Sequence, residues 1–182
     1  MTKCIFITSV EPRSGKSAVA LGLVEALSAK GQSVGVFRPV QPATGSDNLN
    51  LLLANHKAVT PAPASVTSVT YEDIATRIDE AISEIISSYY AYSNVDNVVT
   101  LGSNYSGPLG SIELQLNGRI AVNLDASVVV CVSAANRPVS MLAERAKTAI
   151  MSLEFRKATV VAVVATGGSP EDEAAAREQL AQ

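Results

Sequence analysis

Short apolar runs alternate along the chain with longer segments in which every third or fourth residue is apolar. The short runs are typical of fully buried strands, and the longer segments are typical of helices that bury one face. This alternation predicts βαβ units, and therefore a parallel sheet covered by helices. The predicted strands are residues 4–9, 33–40, 97–101, 126–133 and 159–166, and the predicted helices are residues 16–30, 47–55, 70–90, 112–124 and 138–155.

Local signals mark two of the helix ends. Gly31 directly follows the first helix, where a glycine favours a left-handed cap. Thr70, with Asp73 three residues later, predicts a capping box at the start of the helix over residues 70–90.

The last residues resemble the start of another helix. Ser169 and Pro170 precede three acidic residues, which is a favourable helix N-terminus. The segment offers only Leu180 as an apolar anchor. We therefore expect one domain over residues 1–168, and over residues 169–182 a helix start that leads to a following domain. The alternative is a frayed terminal helix.

Composition excludes several classes of protein. The 182 residues are 47% hydrophobic and 17% charged, which does not fit a disordered chain or a solvated coiled coil. A net charge of −3 provides no basic field for nucleic acid or an anionic membrane. No apolar run approaches the roughly 20 residues of a membrane span, so we expect neither a nucleic-acid nor a membrane partner.

The cysteines and the histidine narrow the chemistry further. Cys4 and Cys131 each lie inside an apolar run, which predicts buried thiols in a reducing, cytoplasmic compartment. His56 is the only histidine. A Ser-His-Asp triad, a Cys-His pair and a polyhistidine metal site are therefore disfavoured, and we predict no catalytic residue.

The most specific chemical signal lies between the first predicted strand and the first predicted helix. Residues 8–17 read Thr-Ser-Val-Glu-Pro-Arg-Ser-Gly-Lys-Ser. Gly15 allows close approach to an oxyanion, the Lys16 ammonium neutralises phosphates, and the Ser17 hydroxyl can ligate Mg²⁺. The segment predicts a phosphate-binding loop, the P-loop, that takes a nucleotide such as ATP with Mg²⁺. The predicted binding residues of the loop are Glu11, Pro12, Arg13, Ser14, Gly15, Lys16 and Ser17.

This loop also predicts the fold class, a three-layer P-loop NTPase-like α/β domain. About five mainly parallel strands would lie between helices on both faces, with the loop at the carboxyl end of the first strand.

The strict P-loop pattern has a glycine five residues before Gly15, where this chain has Val10. A variant that is one residue longer, Thr-Gly followed by five residues and then Gly-Lys-Ser or Gly-Lys-Thr, matches Thr8-Ser9 and Gly15-Lys16-Ser17, with Ser9 in place of its first glycine. The longer spacing resembles that of the dethiobiotin synthetases. The resemblance implies that Arg38 takes the place of a lysine near the reacting phosphate. It also implies that Asp47 is a metal ligand beside Ser17, although Asp47 could equally cap the next helix.

The third predicted strand departs from that family. Where dethiobiotin synthetases have a metal-binding glutamate, this chain has Leu101. Phosphoryl transfer depends on a positioned metal ion, so nucleotide binding is expected here without efficient catalysis.

A second resemblance covers nearly the whole chain. The segments at residues 36–42, 85–90, 97–102 and 117–126 together resemble the N-terminal domain of long phosphate acetyltransferases. The resemblance implies a regulatory, dethiobiotin synthetase-like domain, with acetyl transfer between acetyl phosphate and coenzyme A catalysed by a separate C-terminal domain. It implies that C-terminal domain as a partner, and a homo-oligomer.

Two alternatives stay open at this point. One is an ATP-dependent ligase of the dethiobiotin synthetase type, which would use Lys16, Ser17, Asp47 and Arg38 around Mg-ATP. The other is a structural module whose P-loop no longer binds a ligand.

Overall fold

The computed structural model describes residues 2–41, 53, 56–103, 112–135, 137–169, 175 and 178. Its five strands are β1 (Lys3–Ser9), β2 (Val34–Phe37), β3 (Asn97–Leu101), β4 (Ser127–Ser133) and β5 (Thr159–Thr166). Its helices are α1 (Lys16–Ala29), α2 (Tyr71–Thr76), α3 (Ile78–Tyr90), α4 (Glu113–Asn123) and α5 (Val139–Glu154).

The strands form one parallel sheet in the order β2-β3-β1-β4-β5. The chain crosses from β1 outward to β2, returns to β3 and then crosses to β4. This reversal beside β1 is where open α/β sheets gather their ligands at the carboxyl ends of the strands. The predicted parallel α/β fold is confirmed.

Helices cover both faces of the sheet. Ile7 packs with Ala20 and Val24 of α1 on one face, and its neighbour Phe6 belongs to a second cluster with residues of α3, α4 and α5. Adjacent strand residues point to opposite faces, so the two clusters are the two apolar layers of a three-layer domain. None of the helices in the described ranges is long and apolar enough to cross a membrane.

Both predicted helix caps are confirmed. Gly31 has φ +74° at the end of α1, and its N–H donates to the carbonyl of Ser28 at 2.9 Å. The hydroxyl of Thr70 accepts from the N–H of Asp73 at 3.1 Å, and the Asp73 carboxylate accepts from the N–H of Thr70 at 2.8 Å. These pairs satisfy donors that a helix terminus leaves without intrahelical partners.

The predicted single helix over residues 70–90 is wrong. Arg77, at φ −147° and ψ 56°, separates α2 from α3. Its N–H still donates to the carbonyl of Asp73, while its guanidinium binds the carboxylates of Asp73 and Glu84. An ion-pair network therefore stabilises a break that apolar periodicity does not reveal.

The second strand is shorter than the predicted 33–40. It ends at Phe37, and Val40 forms only an isolated bridge to Val69. Pro39 has no N–H to donate to a strand ladder, which agrees with the early end.

The predicted helix over residues 47–55, except for Leu53, lies outside the described residues. The predicted helix start over residues 169–182 lies largely outside them as well.

Candidate functional site

The loop after β1 lies across the carboxyl ends of the neighbouring strands. The Glu11 carboxylate accepts from the N–H of Ser133, the last residue of β4, at 3.1 Å. The hydroxyl of Thr166, the last residue of β5, donates to the carbonyl of Ser14 at 2.9 Å. The loop is therefore fixed to the two strands on one side of β1 before α1 begins at Lys16.

The backbone of the loop alternates in handedness. Arg13 and Gly15 have φ values of +57° and +74°, whereas the intervening Ser14 is not in this region. Such alternation directs successive main-chain N–H groups into one concave nest, which favours anions. The nest opens at the N-terminus of α1, where the helix dipole adds partial positive charge.

Gly15 is required by contact as well as by conformation. A Cβ atom at this position would lie 2.9 Å from Cγ2 of Thr166. Glycine thus allows the loop to approach β5 closely while adopting a positive φ.

The ammonium group of Lys16 reaches to the other side of β1. Its Nζ donates to the carbonyl of Gly102 at 3.1 Å and also to the carbonyl of Ser103. The residue is only 8% exposed. Lys16 therefore lies at the carboxyl ends of β1 and β3, where main-chain carbonyls hold its charge.

The side chain of Glu11 contacts arginines. Its carboxylate forms ion pairs with Arg137 at 2.5 Å and with Arg145 at 3.0 Å. Burial raises the pKa of Glu11, but the hydrogen bonds and charges of the arginines and the N–H of Ser133 outweigh burial, so the pKa is lowered overall. Glu11 thereby fastens the loop to β4 and α5.

Pro12 and Arg13 are exposed at the tip of the loop, and Ser17 is half-buried in the first turn of α1. The hydroxyl of Ser14 is buried without a hydrogen-bond partner among the described residues. A buried hydroxyl rarely lacks a partner in a protein. The nest, the lysine and this hydroxyl together fit a phosphate group.

The two remaining predicted site residues, Arg38 and Asp47, do not belong to the loop itself. Arg38 follows β2, two strands and about 10 Å from β1, and its Nε donates to the carbonyl of Val40 at 3.1 Å. Asp47 lies outside the described residues.

The end of β3 offers no acidic side chain. Leu101 is 3% exposed and packs in the apolar layer beneath α1. Among the described residues, no group of three or more His, Cys, Asp or Glu could hold a metal ion. Of the predicted metal ligands, only Ser17 is placed at the loop.

Sequence reasoning missed two polar residues behind the site, Glu113 and Asn117 of α4. Both are fully buried, one helical turn apart. Oδ1 of Asn117 accepts from the N–H and the hydroxyl of Ser103 at 3.0 and 3.1 Å. The sequence contains a signal for them. Glu113 and Asn117 share the helical spacing of the apolar Leu116 and Ile120, so they are polar residues on the face of α4 that packs into the core.

A cavity of about 800 Å³ lies away from the loop. It is lined by residues at the amino-terminal edge of the sheet, including Lys3, Tyr89 and Asp125. Because ligands of open α/β sheets bind at the carboxyl edge, the geometry of the loop identifies the candidate site better than cavity size does.

A family model described as an AAA domain matches residues 3–182. The chain belongs to this family. The match spans the β1–α1 loop and all five strands of the AAA domain.

Among curated proteins, the AAA domain is similar to phosphate acetyltransferases. It is 26% identical to the phosphate acetyltransferase of Synechocystis over 100% of this chain and 27% of that protein. It is 26% identical to that of Nitratidesulfovibrio vulgaris over 90% of this chain and 25% of that protein. The chain therefore spans about a quarter of the length of these relatives and matches their N-terminal part.

Solved structures with the same fold include nucleotide-binding proteins. The signal recognition particle receptor FtsY from Elizabethkingia anophelis superposes with a TM-score of 0.60 at 14% identity, covering 99% of this chain and 54% of that chain. A nucleotide-binding protein from Archaeoglobus fulgidus in complex with ADP gives 0.57 at 15% identity, covering 97% and 77%. At these identities the likeness establishes the P-loop fold alone.

Proposed function

We propose that this chain is the N-terminal regulatory domain of a phosphate acetyltransferase and that its β1–α1 loop binds the phosphate groups of a nucleotide. The acetyl transfer between acetyl phosphate and coenzyme A would be catalysed by another part of the polypeptide. The similarity to the N-terminal quarter of phosphate acetyltransferases supports the assignment of the parent protein.

The observation that carries the proposal is the combination of an intact anion nest with an apolar β3 end. The alternating backbone at Arg13 and Gly15 supplies main-chain N–H groups for a phosphate. Leu101 leaves the end of β3 without the carboxylate that would help to position Mg²⁺ for phosphoryl transfer. A site of this kind suits binding and sensing.

Each loop residue has a defined part in this proposal. The backbone from Arg13 to Lys16 would surround a phosphate, and the Lys16 ammonium would neutralise it. Ser17 would help to hold Mg²⁺, which would screen the charge between phosphates. Glu11 would act indirectly by fixing the loop to Arg137 and Arg145, and Arg38, which follows β2, would contact an outer part of the ligand.

The edge strand β5 favours a partner within the same polypeptide. β5 reads Thr-Val-Val-Ala-Val-Val-Ala-Thr, a composition typical of a central buried strand, yet it is an edge strand of the described sheet and Val161 is 56% exposed. The relatives are about four times as long as this chain. We infer that the C-terminal part of the same polypeptide covers this edge in a cytoplasmic protein, and we expect that protein to be a homo-oligomer.

Calorimetric titration with Mg-ATP tests the binding site. Wild type should bind, and Lys16→Ala should weaken binding by about 100-fold because a charge-assisted contact to phosphate is lost. Lys30→Ala, which removes an exposed charge at the other end of α1, is the matched control and should bind like wild type. Absence of heat with wild type, or equal binding by Lys16→Ala, would refute nucleotide binding at this loop.

Activity assays test the assignment of the domain. The 182-residue chain should catalyse neither acetyl transfer nor ATP-dependent carboxylation of diaminopelargonate. Acetyl transfer by this chain alone would contradict the regulatory assignment. Turnover of ATP with diaminopelargonate would instead identify a ligase of the dethiobiotin synthetase type.

A further inference from the structure

The charge of Lys16 is restrained on the side of the site opposite the loop. Its ammonium contacts the carbonyls of Gly102 and Ser103, the two residues that follow β3. These carbonyls are themselves fixed, because the N–H of Gly102 donates to the carbonyl of Ile7 in β1 at 2.9 Å. A phosphate ligand at the nest would therefore compete with main-chain oxygens for the same ammonium.

Asn117 contacts both residues that carry these carbonyls. Its Oδ1 accepts from both the N–H and the hydroxyl of Ser103 at 3.0 and 3.1 Å. It also lies so close to Gly102 that a Cβ atom there would approach Oδ1 to 3.0 Å. The carbonyl end of β3 is thus clamped between β1 and α4.

The clamp is made of polar groups in an otherwise apolar layer. Asn117 and Glu113 are 0% exposed, and Nδ2 of Asn117 and Oε2 of Glu113 have no hydrogen-bond partner among the described residues. The hydroxyl of Tyr71 donates to Oε1 of Glu113. Buried polar atoms without partners are unfavourable, so packing alone does not account for an asparagine at this place in α4.

We propose that Asn117 is a positioning residue that holds the Gly102 and Ser103 carbonyls against the Lys16 ammonium and thereby restrains the loop from binding phosphate. This inference rests on the proposed function, since it specifies how the same loop is regulated. If the restrained state is favoured about tenfold, the apparent affinity for a phosphate ligand falls about tenfold. Loosening the clamp then strengthens binding, whereas damage to an ordinary structural residue would leave binding unchanged or weaken it.

Amide hydrogen exchange in the wild-type chain provides the first test. Mg-ADP should draw Lys16 away from the carbonyls of Gly102 and Ser103. The end of β3 should then open more often, so the N–H of Ser103, which donates to Asn117, should exchange several-fold faster, while the N–H groups of residues 15–17 exchange more slowly. Protection in the loop with no change at Ser103 would overturn the restraint. This measurement needs no variant that could fail to fold.

Two variants that loosen the clamp in different ways provide the second test. Asn117→Ala removes the acceptor of Ser103, and Gly102→Ala adds a Cβ atom 3.0 Å from both Asn117 Oδ1 and the Phe6 ring, which should displace the end of β3. Calorimetry should show both binding Mg-ADP about tenfold more tightly than wild type. Gln115→Ala, an exposed change on the same helix, is the control and should not alter binding.

The outcomes separate this inference from the proposed function. If wild type binds Mg-ADP and the two folded variants bind equally or more weakly, the restraint is refuted and the binding loop stands. If wild type binds weakly and the two variants bind about tenfold more tightly, the restraint is supported. If neither wild type nor variant binds, both the restraint and the binding loop are refuted.

Discussion

The site around Lys16 has two sides with opposite chemistry. On one side, the loop over residues 11–17 presents main-chain N–H groups and the N-terminus of α1, which attract anions. On the other side, the end of β3 presents the carbonyls of Gly102 and Ser103, which hold the lysine cation. If the loop binds phosphate as we propose, the same ammonium serves both a binding side and a restraining side, and the balance between them sets the affinity.

The largest expected effect is on the restraining side. Leu101→Glu should lower the free energy of unfolding by about 4 kcal/mol, because it places a carboxylate among the apolar side chains beneath α1. Urea denaturation measures this change, with Leu101→Met as the size-matched control. A Leu101→Glu variant as stable as wild type would show that this position is open to solvent or metal, contrary to the structure.

The binding side is most sensitive at Gly15. Gly15→Ala should destabilise the domain by about 2 kcal/mol, because it adds strain at positive φ and a contact with Thr166. Gly31→Ala separates these causes, since Gly31 has the same φ of +74° but no atom within 4 Å of the added Cβ. Denaturation midpoints should show a clearly smaller loss for Gly31→Ala. Equal losses of stability for the two variants would mean that the contact with Thr166 contributes nothing to the cost of Gly15→Ala.

Substitution of Glu11, which anchors the loop, should change the stability of the domain in a pH-dependent way. Glu11→Gln should cost about 1.5 kcal/mol at pH 7, through weakened hydrogen bonds to Arg137 and Arg145. The lowered pKa of Glu11 in the folded state means that the ionised carboxylate stabilises above the ordinary value of 4.5. This stabilisation should be lost as the pH falls through the lower folded pKa.

The free energy of unfolding, measured from pH 7 downward, tests whether the stabilisation by Glu11 is lost in acid. The difference between wild type and Glu11→Gln should shrink below about pH 4.5. Glu84→Gln, at a more exposed ion pair with Arg77, should change stability by less than about 0.5 kcal/mol. A difference that grows towards acid would contradict the assigned role of Glu11.

Among the changes at the site itself, the smallest effect is expected at the contact between the loop and β5. Thr166→Val keeps the shape of the side chain and removes the hydrogen bond to the carbonyl of Ser14, which should cost about 1 kcal/mol. Thr159→Val, at the exposed opposite end of β5, is the control. Equal melting temperatures for Thr166→Val and wild type would show that this hydrogen bond does not fix the loop.

The two sides of the site also differ in how far they could be predicted. The β1–α1 loop depends on consecutive residues, so the order strand, Gly15-Lys16-Ser17, helix was sufficient to locate the turn between β1 and α1, while phosphate binding by that loop stays a prediction. The restraint joins Lys16 to Ser103 and Ser103 to Asn117, pairs separated by 87 and 14 residues. No local pattern specifies such contacts, which exist only once β1 and β3 are adjacent.

The fold, too, has features that the local sequence predicts and features that depend on contacts between separated residues. The bounds of β3 and β5 were predicted correctly, because buried parallel strands leave continuous apolar runs. The break at Arg77 was missed, because the apolar stripe continues through it and the ion pairs that support the break involve residues four and seven positions away. Local periodicity thus located the elements, whereas polar contacts decided where they are interrupted.

Nuclear magnetic resonance of the backbone amides during titration with Mg-ADP tests the central claim most directly. We expect the largest chemical-shift changes at the N–H groups of Ser14, Gly15, Lys16 and Ser17, with a second set at Gly102 and Ser103 as the lysine leaves their carbonyls. Shifts confined to the cavity at the amino-terminal edge of the sheet, or no shifts at millimolar nucleotide, would contradict the assignment of this loop as a phosphate site.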